Sequence, residues 1–268
     1  MRLSISNIAW NPKNDLAIAA LLYRMQVNAI DIAHSKYFKQ PEQVTSADII
    51  NLKQSWLQRD IDIVGMQALL FGTKGLNVFG NSGSRQRMLD HLNVICRIAS
   101  ELGARRLVFG SPKNRDCEGL SPIETREIST NFFMQLGDIA KAKDVIICLE
   151  PNPEAYGANF LTTTTETKEF VRKLAHPNIK MQLDTGALIM NNEDPASTIA
   201  DCRGYIGHIH ISEAQLAPVI HKTTYHKAIA SALQRHLPDS IITIEMRATD
   251  TEIVSVKKSI ETVQSIYC

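Results

Sequence analysis

The sequence predicts a single (β/α)8 barrel, and three observations predict it. Eight short runs rich in Ile, Val and Leu recur along the chain. Amphipathic stretches with helical spacing lie between them. The 268 residues divided by eight give about 33 per unit, the size of one strand–helix repeat, and the total is close to the ~250 residues typical of this fold.

In chain order the apolar runs are LSISNIA (3–9), AIDIA (29–33), DIVGMQALL (62–70), RLVFGS (106–111), VIICLE (145–150), IKMQLD (179–184), IGHIHIS (206–212) and IITIEM (241–246). They are too apolar to keep one wet face, which marks strands of a parallel sheet buried on both sides. NDLAIAALLYRMQ (14–26) follows the first strand as a helix. In the stretch 85–104, Met88, Leu89, Leu92, Ile95, Cys96, Ala99 and Leu102 share one helical face, and Gly103 is a natural stop. The stretch 121–143 opens with Ser121 as N-cap, Pro122 in the first turn and Glu124 behind it. Residues 163–176 and 251–267 read the same way, and eight helices are expected in all. A doubly wound sheet would usually carry a Gly-rich turn after the first strand. Here that turn is NIAWNPKN (7–14), without glycine. No linker or composition break divides the chain, so one domain covers 1–268.

Hydrophobic residues make up 44% and charged residues 21%, which is ordinary for a soluble globular protein. A net charge of +1 gives no basic surface for nucleic acid. No apolar run approaches the ~20 residues needed to span a bilayer, so no membrane role is expected. The five cysteines (96, 117, 148, 202, 268) form no C-x-x-C pair. That pattern suggests neither a disulfide framework nor a Cys-based zinc site, and fits a reducing compartment. MRLSISNIAW has no long apolar region or cleavage site, so a cytoplasmic location is expected.

The run IICLEPNPEAYG (146–157) ends an apolar strand on a carboxylate, Glu150, followed at once by Pro151. An unpaired charge in a buried strand costs several kcal/mol, so Glu150 either leaves the core or meets something positive. In a barrel of this kind the active site forms at the C-terminal ends of the strands. The fifth strand ends in Glu150 and the sixth in Asp184, the seventh carries His208 and His210, and the eighth ends in Glu245. Each alone is ordinary: a single acid after a strand is usually a cap or a surface group. Four in register on one rim are harder to dismiss. Clustered carboxylates repel and raise one another's pKa, and a divalent cation removes the conflict. Oxygen-rich ligands with one imidazole suit Mn²⁺, Mg²⁺ or Co²⁺, with Zn²⁺ also allowed. His208 has the parity of His210 but lies about one layer deeper, so it reads as an interior or supporting residue.

With these residues placed, the whole chain resembles the xylose isomerase-like barrels, in particular their sugar phosphate isomerase/epimerase group, whose relatives include ketose 3-epimerases, hydroxypyruvate isomerase and endonuclease IV. SNIAW, GMQALLFG, LVFGSPKNR, LEPNPEAYGANFLT, LDTGALIMNNE, HIHISE and IEMR carry the resemblance. It implies one divalent metal per chain, held by Glu150, Asp184, His210 and Glu245. Two positions depart from the ketose 3-epimerases, which carry histidine where this chain has Ala187 and arginine where it has Leu216. Both departures count against a free ketohexose as substrate, and neither touches the metal ligands. The missing histidine also counts against the endonuclease chemistry.

The implied reaction is isomerisation or epimerisation of a small-molecule sugar or sugar phosphate, by proton transfer through a metal-stabilised enediolate. Glu150 and Glu245 would serve as ligands and as the acid–base pair, with Asp184 and His210 as ligands only. Lys36, Gln67, Lys113, Asn114 and Arg247 follow or lie within strands where they could face the substrate, and a phosphate or carboxylate would need one or two of the cations. Glu213 is a supporting acid or a loop acid. Trp10 and Phe71 could form an apolar wall or pack under loops, and FGTKGLNVFGNSG (71–83) is a candidate lid. Two other readings compete: a phosphodiester hydrolase in the manner of endonuclease IV, and a non-catalytic sugar-binding barrel. A homodimer paired near the mouth is compatible with a barrel of this size.

Overall fold

Alternating strands and helices close into a barrel in the computed structural model, which describes residues 1–268. The elements are β1 (Arg2–Ser6), α1 (Asp15–Arg24), β2 (Ala29–Ala33), α2 (Ser46–Leu57), β3 (Asp62–Gln67), α3 (Ser82–Leu102), β4 (Arg106–Phe109), α4 (Pro122–Ala142), β5 (Ile146–Leu149), α5 (Thr164–Leu174), β6 (Ile179–Asp184), α6 (Thr185–Met190), α7 (Pro195–Cys202), β7 (Ile206–Ser212), α8 (Thr224–His236), β8 (Ile241–Glu245) and α9 (Glu252–Tyr267). Every strand pairs in parallel with its sequence neighbour, and β1 pairs with β8 to close the cylinder. The strands match the expected runs closely. The helices number nine instead of eight, because the short α6 is inserted directly behind β6.

Strand residues of one parity, such as Ile5, Ile30, Leu107, Ile147, Leu183 and Ile244, are fully buried in a 62-residue hydrophobic cluster with the helices. Residues of the other parity are equally buried but largely polar: Ser4, Asp31, Gln182, His208, His210 and Thr243. The sequence predicted strands buried on both sides. The inner face is buried without being apolar, because its groups bond one another inside the barrel. His208 Nε2 lies 2.5 Å from Asp31 Oδ2 and 3.4 Å from Thr243 Oγ1.

The outer helices form as their sequences dictate. On α3 the predicted apolar face is buried, and Gly103 ends the helix at φ 91, a conformation that costs glycine little. On α4, Ser121 and Glu124 form a reciprocal capping box with Pro122 at the first position. The 71–83 segment departs from the lid expectation. Val78 N donates to Asn114 O (2.9 Å), Asn114 Nδ2 to Leu76 O (2.7 Å) and Ser84 Oγ to Gly75 O (2.7 Å). Val78 is fully buried beneath it. These bonds fasten the loop to its neighbours.

Candidate metal centre

Four consecutive strands deliver the site. Glu150 follows β5 directly, and its main-chain N still bonds Phe109 O (3.1 Å) before Pro151 ends the pairing. Asp184 ends β6 and also caps α6, with Oδ1 accepting from Ala187 N (2.7 Å) and Oδ2 from Ser212 Oγ (2.7 Å). Both of its oxygens are therefore fixed. The register of β6 against β7 pairs Asp184 with His210, and that of β7 against β8 pairs Ser212 with Glu245. One potential ligand atom from each of Glu150, Asp184, His210 and Glu245 lies within 4.8 Å of the others. His210 Nδ1 is 3.3 Å from Glu245 Oε2 and 3.9 Å from Glu150 Oε1, so Nδ1 is the ring nitrogen that faces the cluster.

The electrostatics answer why a carboxylate ends β5. Arg115 is fully buried, and its Nη2 donates to the main-chain carbonyl of Glu150 (2.6 Å). A guanidinium therefore stands behind the acid. It does not suffice. Burial, and then the carboxylates of Glu245 and Asp184, push the Glu150 carboxyl up to about 8 against the pull of His210 and Arg115. Burial and Glu245 likewise push Asp184 up to about 6. Burial disfavours a charged His210, but Glu245 and Asp31 outweigh it and hold the ring well above the usual imidazole range. Asp31 is itself held well below the usual carboxylate range, because His208 and His210 outweigh its burial.

Without a cation the cluster thus keeps protons that it would not hold in water. The donor set fits a hard divalent ion: three carboxylates, one imidazole, and ligand atoms close enough to share a centre. Glu150, Asp184 and Glu245 also line a cavity of about 530 Å³ that includes Asn152, Tyr156, Ala187, Glu213, Leu216 and Arg247. A neighbouring cavity of about 390 Å³ meets it at Glu150, Glu245 and Leu216, with Gln67, Phe71, Val108 and Lys113 among its walls.

A family model for the xylose isomerase-like TIM barrel matches residues 20–265. The chain belongs to the xylose isomerase-like TIM barrel family. No curated protein matches its sequence. Among solved structures it is similar to D-psicose 3-epimerase from Clostridium cellulolyticum H10 with D-tagatose, at 15% identity and a TM-score of 0.83, over 100% of this chain and 99% of that one. It is also similar to 3-keto-D-glucoside 4-epimerase from E. coli, at 15% identity and a TM-score of 0.81, over 99% of both chains. An L-ribulose 3-epimerase gives 17% identity and a TM-score of 0.80, over 99% of this chain and 94% of that one. Likeness at these identities establishes a shared fold.

Within this xylose isomerase-like barrel the other predicted residues divide into two groups. Gln67 Nε2 donates to Glu245 Oε1 at 2.5 Å, and Lys113 and Arg247 line the two cavities. Glu213 lines the larger cavity and bonds His226 Nε2 through Oε1 (3.1 Å). His208 sits below the ligands, bonded to Asp31.

Lys36 and Asn114 turn their polar groups to the main chain and neighbouring side chains, and neither lines the two cavities. The Lys36 ammonium donates to the main-chain carbonyls of Asn7 (2.6 Å) and Trp10, so it secures the turn after β1. The Asn114 amide is buried, donates to Leu76 O and accepts from Ser111 Oγ (2.6 Å), so it secures the 71–83 loop. Trp10 is fully buried edge-on against Trp56, whereas Phe71 stands 72% exposed in the smaller cavity's wall.

The sequence reading missed Asp31, Arg115 and Ser212, which bond His208, the Glu150 carbonyl and Asp184 behind the cluster. It also missed Gln215 and Leu216 as a feature of the mouth. Both adopt positive φ (59° and 55°) without being glycine, a conformation that costs of order 1–3 kcal/mol each. Gln215 N donates to Tyr156 Oη (2.6 Å) and Leu216 O accepts from Arg247 N (2.9 Å), which holds the turn in place.

Proposed function

We propose that this chain is a divalent-metal-dependent isomerase or epimerase of a sugar or sugar phosphate, working by proton transfer next to a carbonyl. The observation that carries this reading is the convergence of Glu150, Asp184, His210 and Glu245 on one point at the C-terminal rim of the barrel. The sugar epimerases among its structural neighbours support the same reading.

Glu150, Asp184, His210 and Glu245 would hold one Mn²⁺, Mg²⁺ or Co²⁺, with Zn²⁺ allowed. The bound ion supplies Lewis-acid stabilisation of the negative charge that develops on the substrate's oxygens. The chain's own groups divide the remaining work by how firmly they are held. Both oxygens of Asp184 accept protein hydrogen bonds, so it is a fixed ligand. Glu150 has only the weaker 3.3 Å contact of Asn152 Nδ2 at Oε2, and Glu245 the single donor Gln67. These two can move a proton at the substrate's carbon. Phe71 and the aliphatic wall of the smaller cavity would exclude water from that step, and Arg247 and Lys113 are the cations available to an anionic end of the substrate.

The test begins with metal content per chain in protein purified without chelator, for wild type and Glu245→Gln. About one divalent ion per wild-type chain is expected, and less in the variant. Solvent-deuterium uptake into candidate sugars should then fall ~10²–10⁴-fold in Glu150→Gln. A wild-type chain that takes up no ion, even after soaking in Mn²⁺, would refute the proposal.

A further inference from the structure

The barrel lumen holds a second group of ligand-type side chains one layer below the site. Asp31, His208 and His210 are all buried and lie within ligand distance of one another. Two readings are open to such a group: a second cation site, or a set of hydrogen bonds. The distances decide. Asp31 Oδ2 and His208 Nε2 are 2.5 Å apart, direct hydrogen-bond contact. Two ligands each about 2 Å from one cation and spread at a tetrahedral angle stand about 3.3 Å apart. The group is a hydrogen-bonded set that ends on a ligand of the site above.

His210 joins the two layers. Its Nδ1 faces Glu245 and Glu150. Its Nε2 is buried with no hydrogen bond closer than contact range, and the acceptor before it is Asp31 Oδ2 at 3.5 Å. Oδ1 of Asp31 is also buried and unpartnered, so the carboxylate keeps acceptor capacity for this ring. A buried ring N–H needs an acceptor. On the other side of the ring, the Gln182 amide, with its oxygen turned toward β7, lies 3.3 Å from Nδ1 and 3.1 Å from the His210 main-chain N. The Glu245 carboxylate also stands 3.3 Å from Nδ1, so in the metal-free chain both ring nitrogens face a carboxylate, and a cation held at Nδ1 would leave Nε2 as the ring's one donor, facing Asp31.

The fold makes room for this carboxylate deliberately. Asp31 pairs with Gly65 just where the β2–β3 register shifts. A methyl group at Gly65 would sit 2.5 Å from Asp31 Oδ1. The acid fits in the lumen only because β3 carries no side chain there.

We infer that Asp31 is a positioning residue for the candidate metal centre: its carboxylate accepts from Nε2–H of His210, which fixes the ring and leaves the Nδ1 lone pair for the cation. This rests on the metal-dependent reading for its purpose, while the ring geometry stands separately. Outer carboxylates on metal-bound histidines typically change metal affinity by about 10–100-fold when removed.

The experiment compares the Mn²⁺ dissociation constant of the full chain, wild type and Asp31→Asn, read from the paramagnetic resonance of free Mn²⁺. Asp31→Asn should keep the wild-type far-UV circular dichroism and weaken binding about 10–100-fold. Gly65→Ala, which displaces the carboxylate without removing it, should weaken binding in the same direction. A folded Asp31→Asn chain with wild-type affinity would overturn the inference. The ring nitrogens of His210 give a second readout, in ¹⁵N-labelled wild type loaded with diamagnetic Zn²⁺. Protonation on Nε2 is expected, and protonation on Nδ1 would overturn the inference even if Asp31→Asn does not fold. A wild-type chain that binds neither Mn²⁺ nor Zn²⁺ would overturn the proposed function and this inference with it, whereas one that binds both but is unaffected by Asp31→Asn overturns the inference alone.

Discussion

Gly110 sets how close Glu150 can come to the strand beside it. A methyl group at Gly110 would overlap the Glu150 carboxylate, so Gly110→Ala should push that ligand aside. A displacement of about 1 Å can cost on the order of 10²-fold in rate. Turnover and metal affinity should fall together while circular dichroism stays unchanged, and calorimetric titration with Mn²⁺ checks the affinity. The clustering of the acids is legible in the sequence, because each interrupts or ends an apolar run where a charge has no business unless something receives it. Their supports are not. Asp31 lies inside AIDIA, where the local pattern says only "strand", and its partner His208 is 177 residues away. Arg115 sits in KNRDCEG (113–119), which reads as a solvated loop. Its burial follows from the carbonyl of Glu150, which only the closed barrel brings within reach. The bonding of Lys36 is hidden for the same reason: a lysine after a strand looks free until the carbonyls of Asn7 and Trp10 are folded onto it.

At the scale of elements, end signals carry more than interiors. The capping box of α4 is visible as S-P-I-E, and the structure forms it: Ser121 Oγ accepts from Glu124 N (3.3 Å), and Glu124 Oε2 accepts from Ser121 N (2.9 Å). Ser121→Ala should therefore cost about 1 kcal/mol, read as a lower urea midpoint with an unchanged slope. The cap is far from the ligands in sequence and function, so metal affinity should not move. The long helices α3 and α4 could be read from periodicity because each repeats its apolar face over five turns or more. TGALIM could not. Six residues are too few to establish a period, and α6 exists because Asp184 caps it and tertiary packing completes it. The 71–83 loop was legible as a glycine-rich connection, but its fastening was not, because the fasteners are main-chain carbonyls and Asn114.

For the molecule as a whole, the site groups set a pH dependence of stability. Glu150 moves from an ordinary carboxylate value near 4.5 to about 8 on folding, and Asp184 from 3.8 to about 6. His210 also moves upward. In each case the folded chain binds the proton more tightly than the unfolded chain. Stability from these groups is fully present below the unfolded values and is lost as pH rises through the folded ones. Asp31 moves the other way, but its effect lies at acid pH, below this window. The melting temperature of the metal-free chain should therefore fall between about pH 5 and 8. A bound cation needs the deprotonated ligands, so the rise in melting temperature on adding Mn²⁺ should be larger at pH 8 than at pH 6. Scanning calorimetry at the two values checks both statements. A metal-free chain whose stability is flat across this range would show that the acids are not clustered as described.

All four candidate ligands come from the β5 to β8 half, between residues 150 and 245, while the first half contributes spacing and support through Asp31, Gly65 and Gln67 and, after β4, Gly110 and Arg115. During synthesis the first half of the cylinder emerges from the ribosome with no ion-binding set at all. The set is complete only after the last strand has been made and has closed on the first. On the proposed function, metal loading follows the folding of the early strands and cannot guide it. Chelators present during translation should leave the nascent first half unaffected and act only on the finished chain.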